Sequence, residues 1–394
     1  MNVSLGLIIF SPYLTFLPLF YMLFHYIRQG QWELRDAWSR GLLLLFLWSL
    51  FVGLINESIE SSLAAFVLLG FVAVSVYLQE HFQSVKSVEK LLARLFAISI
   101  GSAVIGLLAK INVITYTPAW WKYLLGTRSI VSLEEFERIS GTFNNPNLAG
   151  TWYAIMLMIG FYFFGRSEGK RKLGYALGMV LFATVLVMTA SRAAAIGIFI
   201  GFILYSYFAG HKKKMLFFTF ILLSGTALML LFPNLFPRGE ILYSSIRDRQ
   251  EIWKSCFHMF LLKPFTGWGW FGIYHYKYSL YLYGRIFHAH NTLLTIATTL
   301  GMVGVGILSW MFWDLLQKVR FLYMKSCRLT PLLCGMVAMI AGQGIFDFTI
   351  MSPQIALLLV GSSAFIQGLA YSYQEAPRSV VVSSRVRHTK WKKA

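Results

Sequence analysis

The stretch "YGRIFHAHNTLLTIATTLG", residues 283–301, places an arginine and two histidines, His288 and His290, directly before an apolar run that continues to residue 313. About 20 predominantly apolar residues cross the hydrocarbon core of a bilayer, so the run reads as a membrane span. Ionisable groups are costly inside lipid, so at the mouth of a span they mark either the interface or a site. The rest of the chain supports the membrane reading. Of 394 residues, 57% are hydrophobic and only 13% are charged, far too apolar for a soluble domain. The fold class expected is an all-α polytopic membrane protein of about 11–12 transmembrane helices, with a large, partly helical extracytoplasmic loop.

Eleven runs carry this pattern: about 4–24, 41–56, 63–78, 91–109, 147–164, 173–189, 193–209, 215–232, 291–313, 331–347 and 353–373. If the tail "RVRHTKWKKA" is cytoplasmic, alternation puts "HYIRQGQWELRDAWSR", "QEHFQSVKSVEK", "GRSEGKRK", "GHKKK" and "DLLQKVRFLYMKSCRLT" on the same side, each with at least two Lys or Arg. The other side receives "NESIESS", "TASR", "FDFTIMS" and two long loops, 110–146 and 233–290; its short loops hold one basic residue, Arg192. This is the positive-inside pattern, with the N-terminus outside. It also accounts for the net charge of +19 without nucleic acid, which is not an expected partner. The chain divides into one multi-spanning domain, 1–375, and a basic cytoplasmic tail, 376–394, that can touch anionic lipid. No cleavable signal peptide is evident, since the first apolar run lacks a basic flank and is long enough to span. Cys256, Cys327 and Cys334 are too widely spaced for a CxxC metal site or a disulfide framework.

Polar residues that topology does not explain gather on the outer side. Between Ser245 and Leu262 the second long loop has helical periodicity, with Ser244 or Ser245 as the cap and Pro264 as the stop. Arg247, Glu251, Lys254 and His258 share one face; Ile252, Trp253, Cys256, Phe257 and Phe260 share the other. Arg249 falls within the apolar face. A guanidinium there needs an anion, supplied either by a neighbouring helix as a structural ion pair or by a ligand. In "VMTASRAAAIGIF", Thr189 or Ser191 caps a helix and Arg192 occupies its first turn. A cation is unfavourable there unless it snorkels to the interface or helps free N–H groups bind an anion. His290 or Asn291 opens the helix "NTLLTIATTLGMVGVG", whose positive end favours the neutral imidazole, the form able to accept a proton.

No metal is expected at His288 and His290, two residues apart with no carboxylate or cysteine beside them. There is no phosphate loop and no outward DxD pair. Glu134, Glu135 and Glu137 in "EEFERIS" read as a solvated face. Trp268 and Trp270 in "GWGWFG" suit either a sugar or a membrane interface.

"GTFNNPNLAG" before a span, "TASRAA" between spans, "RDRQEIWKSCFHMFLLKPFTGWGWFG" in a large external loop and "HAHNTLL" entering a span together resemble the O-antigen ligase superfamily. The resemblance covers about 140–310 by motif and the whole chain by topology, although the ligases typically have twelve spans. It implies a metal-independent glycosyltransferase without cofactor, in the bacterial cytoplasmic membrane and active on its outer face. The enzyme would transfer a glycan from a polyprenyl-pyrophosphate donor to a lipid or glycan acceptor. By position, Arg192 and Arg249 would hold the pyrophosphate and His290 would be the base, with His288, Asn291, Trp253, Asn147 and Trp268 in supporting positions. A polysaccharide polymerase joining lipid-linked units would share the donor and base. A flippase for the same lipid would need arginines along a central path, and charges within the spans are few.

Overall fold

The computed structural model of the chain describes residues 2–11, 13–28, 30, 34–114, 138–276 and 286–375. All regular structure among them is helical, as expected where backbone polar groups must be satisfied within each segment in lipid. In chain order the helices are α1 Asn2–Phe10, α2 Phe16–Arg28, α3 Ala37–Ile55, α4 Ile59–His81, α5 Val85–Lys110, α6 Pro146–Phe164, α7 Gly169–Met188, α8 Arg192–Phe208, α9 Lys212–Leu231, α10 Leu242–Leu262, α11 Gly272–His275, α12 Thr292–Met324, α13 Thr330–Gln343 and α14 Pro353–Glu375. Eight of them are long and apolar enough to cross a membrane, and α8 and α13 are shorter apolar helices. The chain is a multi-pass membrane protein.

Ten of the eleven expected runs each form a helix. The first, 4–24, forms two. It breaks at Ser11, whose hydroxyl accepts from the N–H groups of Tyr13 and Leu14, and neither piece, at 9 and 13 residues, is long enough to span alone. The segment "DLLQKVRFLYMKSCRLT" is not a loop for most of its length, because α12 runs on to Met324. The EEFERIS carboxylates and the 376–394 tail lie outside the described residues. The three cysteines are free and buried.

Two packing features position the end of the helices that carries the histidines. First, α8 and α13 meet through glycines. A Cβ at Gly197 would come within 2.8 Å of the Met339 carbonyl, and one at Gly201 within 2.8 Å of the Gly335 carbonyl. Small residues four apart let helix backbones approach closely in lipid. This seats the first residue of α8, Arg192, beside the end of α13.

Second, α12 is broken at Gly301, at φ 66° and ψ −168°, and the break is filled by the loop carrying the two indoles. Trp268 N–H donates to Thr298 O at 3.0 Å, Gly269 N–H to Thr299 O at 2.8 Å, and Met302 N–H to Pro264 O at 2.7 Å. Trp48 Nε1 donates to Leu300 O at 2.8 Å. The Thr298, Thr299 and Leu300 carbonyls and the Met302 N–H at the kink are thus satisfied, as burial requires. Gly301→Ala would drive a Cβ into the Phe265 carbonyl and force a left-handed φ on an L-residue. The backbone conformation alone costs roughly 1–3 kcal/mol. Gly301→Ala is therefore expected to lower the thermal midpoint in detergent by several degrees, more than Gly306→Ala, where a Cβ meets open space.

Candidate active site

The turn that opens α12 is fastened to the turn that closes α13. Thr292 N–H donates to Gly344 O at 2.7 Å and Asn291 Nδ2 to Ile345 O at 2.9 Å. Asn291 is the helix cap, its Oδ1 accepting from Leu294 N–H at 2.9 Å. The two turns bring together His290 and Asp347. His290 Nδ1 lies 3.1 Å from Asp347 Oδ1. An ionised carboxylate only accepts, so Nδ1 donates to it, and in the neutral ring Nε2 keeps a lone pair. Asp347 is held from other directions by Phe348 N–H at 2.8 Å and by Asn147 Nδ2 at 2.9 Å. Burial pushes the Asp347 carboxyl up, but the hydrogen bond and charge of His290, the charge of His288 and the Phe348 N–H outweigh it and hold it below its ordinary value.

His288 is differently placed. Its Nδ1 accepts from the main-chain N–H of His290 at 3.2 Å, which leaves the neutral ring its proton at Nε2 and no free lone pair. Burial, then the charge of His290, brings it down to about 4 against a partial opposing effect of Asp347. The geometry therefore suits His290, not His288, to proton abstraction.

The sign of that depression predicts a pH effect. Between about 4 and the ordinary 6.5 the unfolded chain binds the His288 proton and the folded site does not. The stability contributed is complete above 6.5 and is lost as pH falls toward 4. The lowered Asp347 group acts in the same direction further into acid. Protection factors for amide exchange at 288–291, corrected for the intrinsic pH dependence of exchange, are expected to fall through this window while those in the core of α14 hold.

The arginines form the second half of the site. Ser191 caps α8, its Oγ accepting from Ala194 N–H at 3.4 Å, and Arg192 is the first helical residue. Arg192 Nη1 and Arg249 Nε are buried without a hydrogen-bond partner, and neither side chain makes an ion pair among the described residues. The ion pair weighed for Arg249 is thus not found there; its Nη1 donates to Ser245 Oγ at 2.7 Å. Burial pushes the Arg249 guanidinium below its ordinary value, with Asp347 opposing. The charges of Arg238 and Arg249 both act on Arg192, with Glu240 opposing, and Asp347 acts on Arg249, which links the arginines to the Asp347–His290 pair. Ala190, Arg238 and His290 all have positive φ, at 50°, 61° and 50°, a strain that collects at functional sites.

Several expectations change. α10 begins at Leu242, so Ser244 and Ser245 lie inside its first turns and do not cap it. Ile252 and Cys256 are buried, whereas Phe257 is exposed, because the helix meets the core along a narrower stripe than its apolar composition suggests. Trp268 is structural: its Nε1 donates to Met259 O at 2.7 Å, and the Lys263 ammonium lies 4.2 Å from its ring centroid. Trp253 packs against the Ile252–Cys256–Ala289 cluster, its Nε1 buried and unpartnered.

From sequence, Asp347 reads only as a charge near the end of a span, like Glu57 and Glu60, and Arg138 and Arg238 are not singled out; all three lie far from the histidines along the chain. A carboxylate at the outer end of a span was the available signal for Asp347. Its arrival removes one ground for dismissing a metal, since ligand atoms of His288, His290 and Asp347 lie within 4.8 Å of one another.

Residues 177–309 match the family model for O-antigen ligase, a segment containing Arg192, Arg249 and His290. This segment, about a third of the chain, is similar to the O-antigen ligase family. The kinship expected from the motifs thus holds, and the family is one of ligase- and polymerase-like membrane enzymes of the glycosyltransferase type. Arg138, Asn147 and Asp347 fall outside the matched segment. No curated protein matches the chain significantly.

Proposed function

We propose that this O-antigen ligase-like chain transfers a glycan from polyprenyl pyrophosphate to a hydroxyl of a lipid-linked acceptor, on the outer face of the bacterial cytoplasmic membrane. The observation that carries the reading is an Asp347-held imidazole together with the half-buried guanidiniums of Arg192 and Arg249, which make no ion pair among the described residues, Asp347 acting on Arg249. His290 Nε2 takes the proton of the acceptor hydroxyl as its oxygen bonds to the anomeric carbon. The bond from that carbon to the pyrophosphate oxygen breaks, and its electron pair leaves with polyprenyl pyrophosphate. Arg249 and Arg192 meet the charge developing on the leaving group, which needs neutralising as in other phosphate departures. Asp347 stabilises the imidazolium until the proton passes to solvent. Displacement in one step inverts the anomeric centre.

The basic loops of the opposite side and the aromatic flanks of the outer side support this orientation. The test uses purified protein in lipid, a polyprenyl-pyrophosphate glycan and candidate acceptors, with a chelator present. Acceptor-dependent release of polyprenyl pyrophosphate is expected, unchanged by the chelator, with the inverted linkage by NMR. A lipid-linked repeat unit as the acceptor that works would make the enzyme a polymerase. Loss of release on chelation would reassign His288, His290 and Asp347 to a cation. Binding of the lipid without release would favour a flippase.

A further inference from the structure

Arg138 lies outside the two halves of the site but touches both sides of it. Its Nε donates to Thr189 O at 2.7 Å and its Nη2 to Asn147 Oδ1 at 2.7 Å. Thr189 closes α7 and begins the three-residue turn, with Ala190 at φ 50°, that ends in the cap of α8 and in Arg192. Asn147 passes the contact on, its Nδ2 donating to Asp347 Oδ2, and Asp347 holds His290. One guanidinium therefore joins the donor arginine's turn to the carboxylate behind the base through hydrogen bonds alone.

We propose that Arg138 is a positioning residue, setting the separation between Arg192 and His290 and fixing the orientation of the Asn147 amide. The inference rests on the transfer reading given above. Its physical content is in the amide. With Oδ1 committed to Arg138, the Asn147 amide must turn its N–H toward Asp347. Without Arg138 the amide can rotate and present its oxygen to the carboxylate, which repels it and loosens the restraint on His290. The planar guanidinium fork reaches two acceptors in divergent directions, which a lysine ammonium on a flexible stem does not reproduce. Distances between reacting groups matter steeply, since a misplacement of about 1 Å can cost on the order of 10²-fold.

The experiment measures kcat and donor KM of the full-length protein in lipid for Arg138→Lys, Arg138→Ala, Asn147→Ala, the double variant Arg138→Ala/Asn147→Ala, and His290→Ala. Rates are normalised to folded protein from a thermal melt. The expected result is a kcat lower by about 10–100-fold for both Arg138 variants with donor KM nearly unchanged. Free guanidinium should partly rescue Arg138→Ala, and the double variant should fall no further than the worse single one, because residues acting as a unit are not additive. A loss confined to donor KM, or a double variant whose loss is the product of the singles, would overturn the proposal. Wild-type kcat in the Arg138 variants beside an inactive His290→Ala would remove Arg138 alone. An active His290→Ala would remove the transfer reading beneath it.

Discussion

His290→Ala is expected to lower kcat by about 10²–10⁴-fold, the usual contribution of a positioned general base, with donor KM little changed because the arginines remain. The neighbouring imidazole offers no substitute. His288 sits beside His290, ring centroids 4.4 Å apart, but its Nδ1 is occupied by the His290 main chain. Asp347→Asn is the sharper companion. The new amide can direct an N–H at His290 Nδ1, which forces the ring proton onto Nε2 and removes the lone pair that must take the substrate proton. The side chain stays nearly isosteric and its oxygen can still accept from Asn147 Nδ2, whereas Phe348 N–H, which shares Asp347 Oδ1 with His290, loses its acceptor. Asp347→Asn is therefore expected to come close to His290→Ala in lost rate. Initial rates of acceptor-dependent polyprenyl pyrophosphate release check both. Full activity in Asp347→Asn would sink the orienting role.

Arg249→Ala should produce the second large loss, about 10²–10³-fold in kcat/KM, the range seen when one preorganised donor to a developing anion is removed. Arg249→Lys should recover little of it. The guanidinium is held by Ser245 Oγ through Nη1 and has a buried Nε awaiting a partner, and a single ammonium cannot serve both. Arg192→Lys should behave similarly for the same geometric reason. A half-buried guanidinium with an unpartnered Nε also makes a prediction without turnover. Inorganic pyrophosphate should raise the thermal midpoint of the wild type, with binding at 100 times Kd stabilising by about 2.7 kcal/mol. The shift should shrink in Arg249→Ala and survive in His290→Ala. A shift equal in all three would place the anion elsewhere.

The local features of the chain, its spans, caps and faces, were legible without the structure because each depends on residues a few positions apart. Apolar length determined ten of the helices, and the Ser191 and Asn291 caps follow from side chains that bond N–H groups three residues ahead. The placement of Arg249 away from the solvated Arg247, Lys254 and His258 follows from helical periodicity alone. Where local rules failed, the reason was local as well: the first run broke at Ser11 because the 11–15 turn satisfied its own backbone with Ser11 Oγ.

What only the tertiary structure decided is which distant groups meet. His290 and Asp347 are separated by 57 residues, and Asn147 and Asp347 by 200; no periodicity or spacing rule connects them. They meet because glycines at 197 and 201 let α8 lie against α13, and because the α12 turn is fastened to the end of α13. The broken helix at Gly301 shows the same limit. Apolar pattern continues through residues 292–313 without interruption, and only the loop at 264–269, arriving to take up the freed backbone groups, makes the kink stable. Sequence by itself determined what each residue could do chemically; close packing of helices in a solvent that cannot satisfy their polar groups decided which of them do it together.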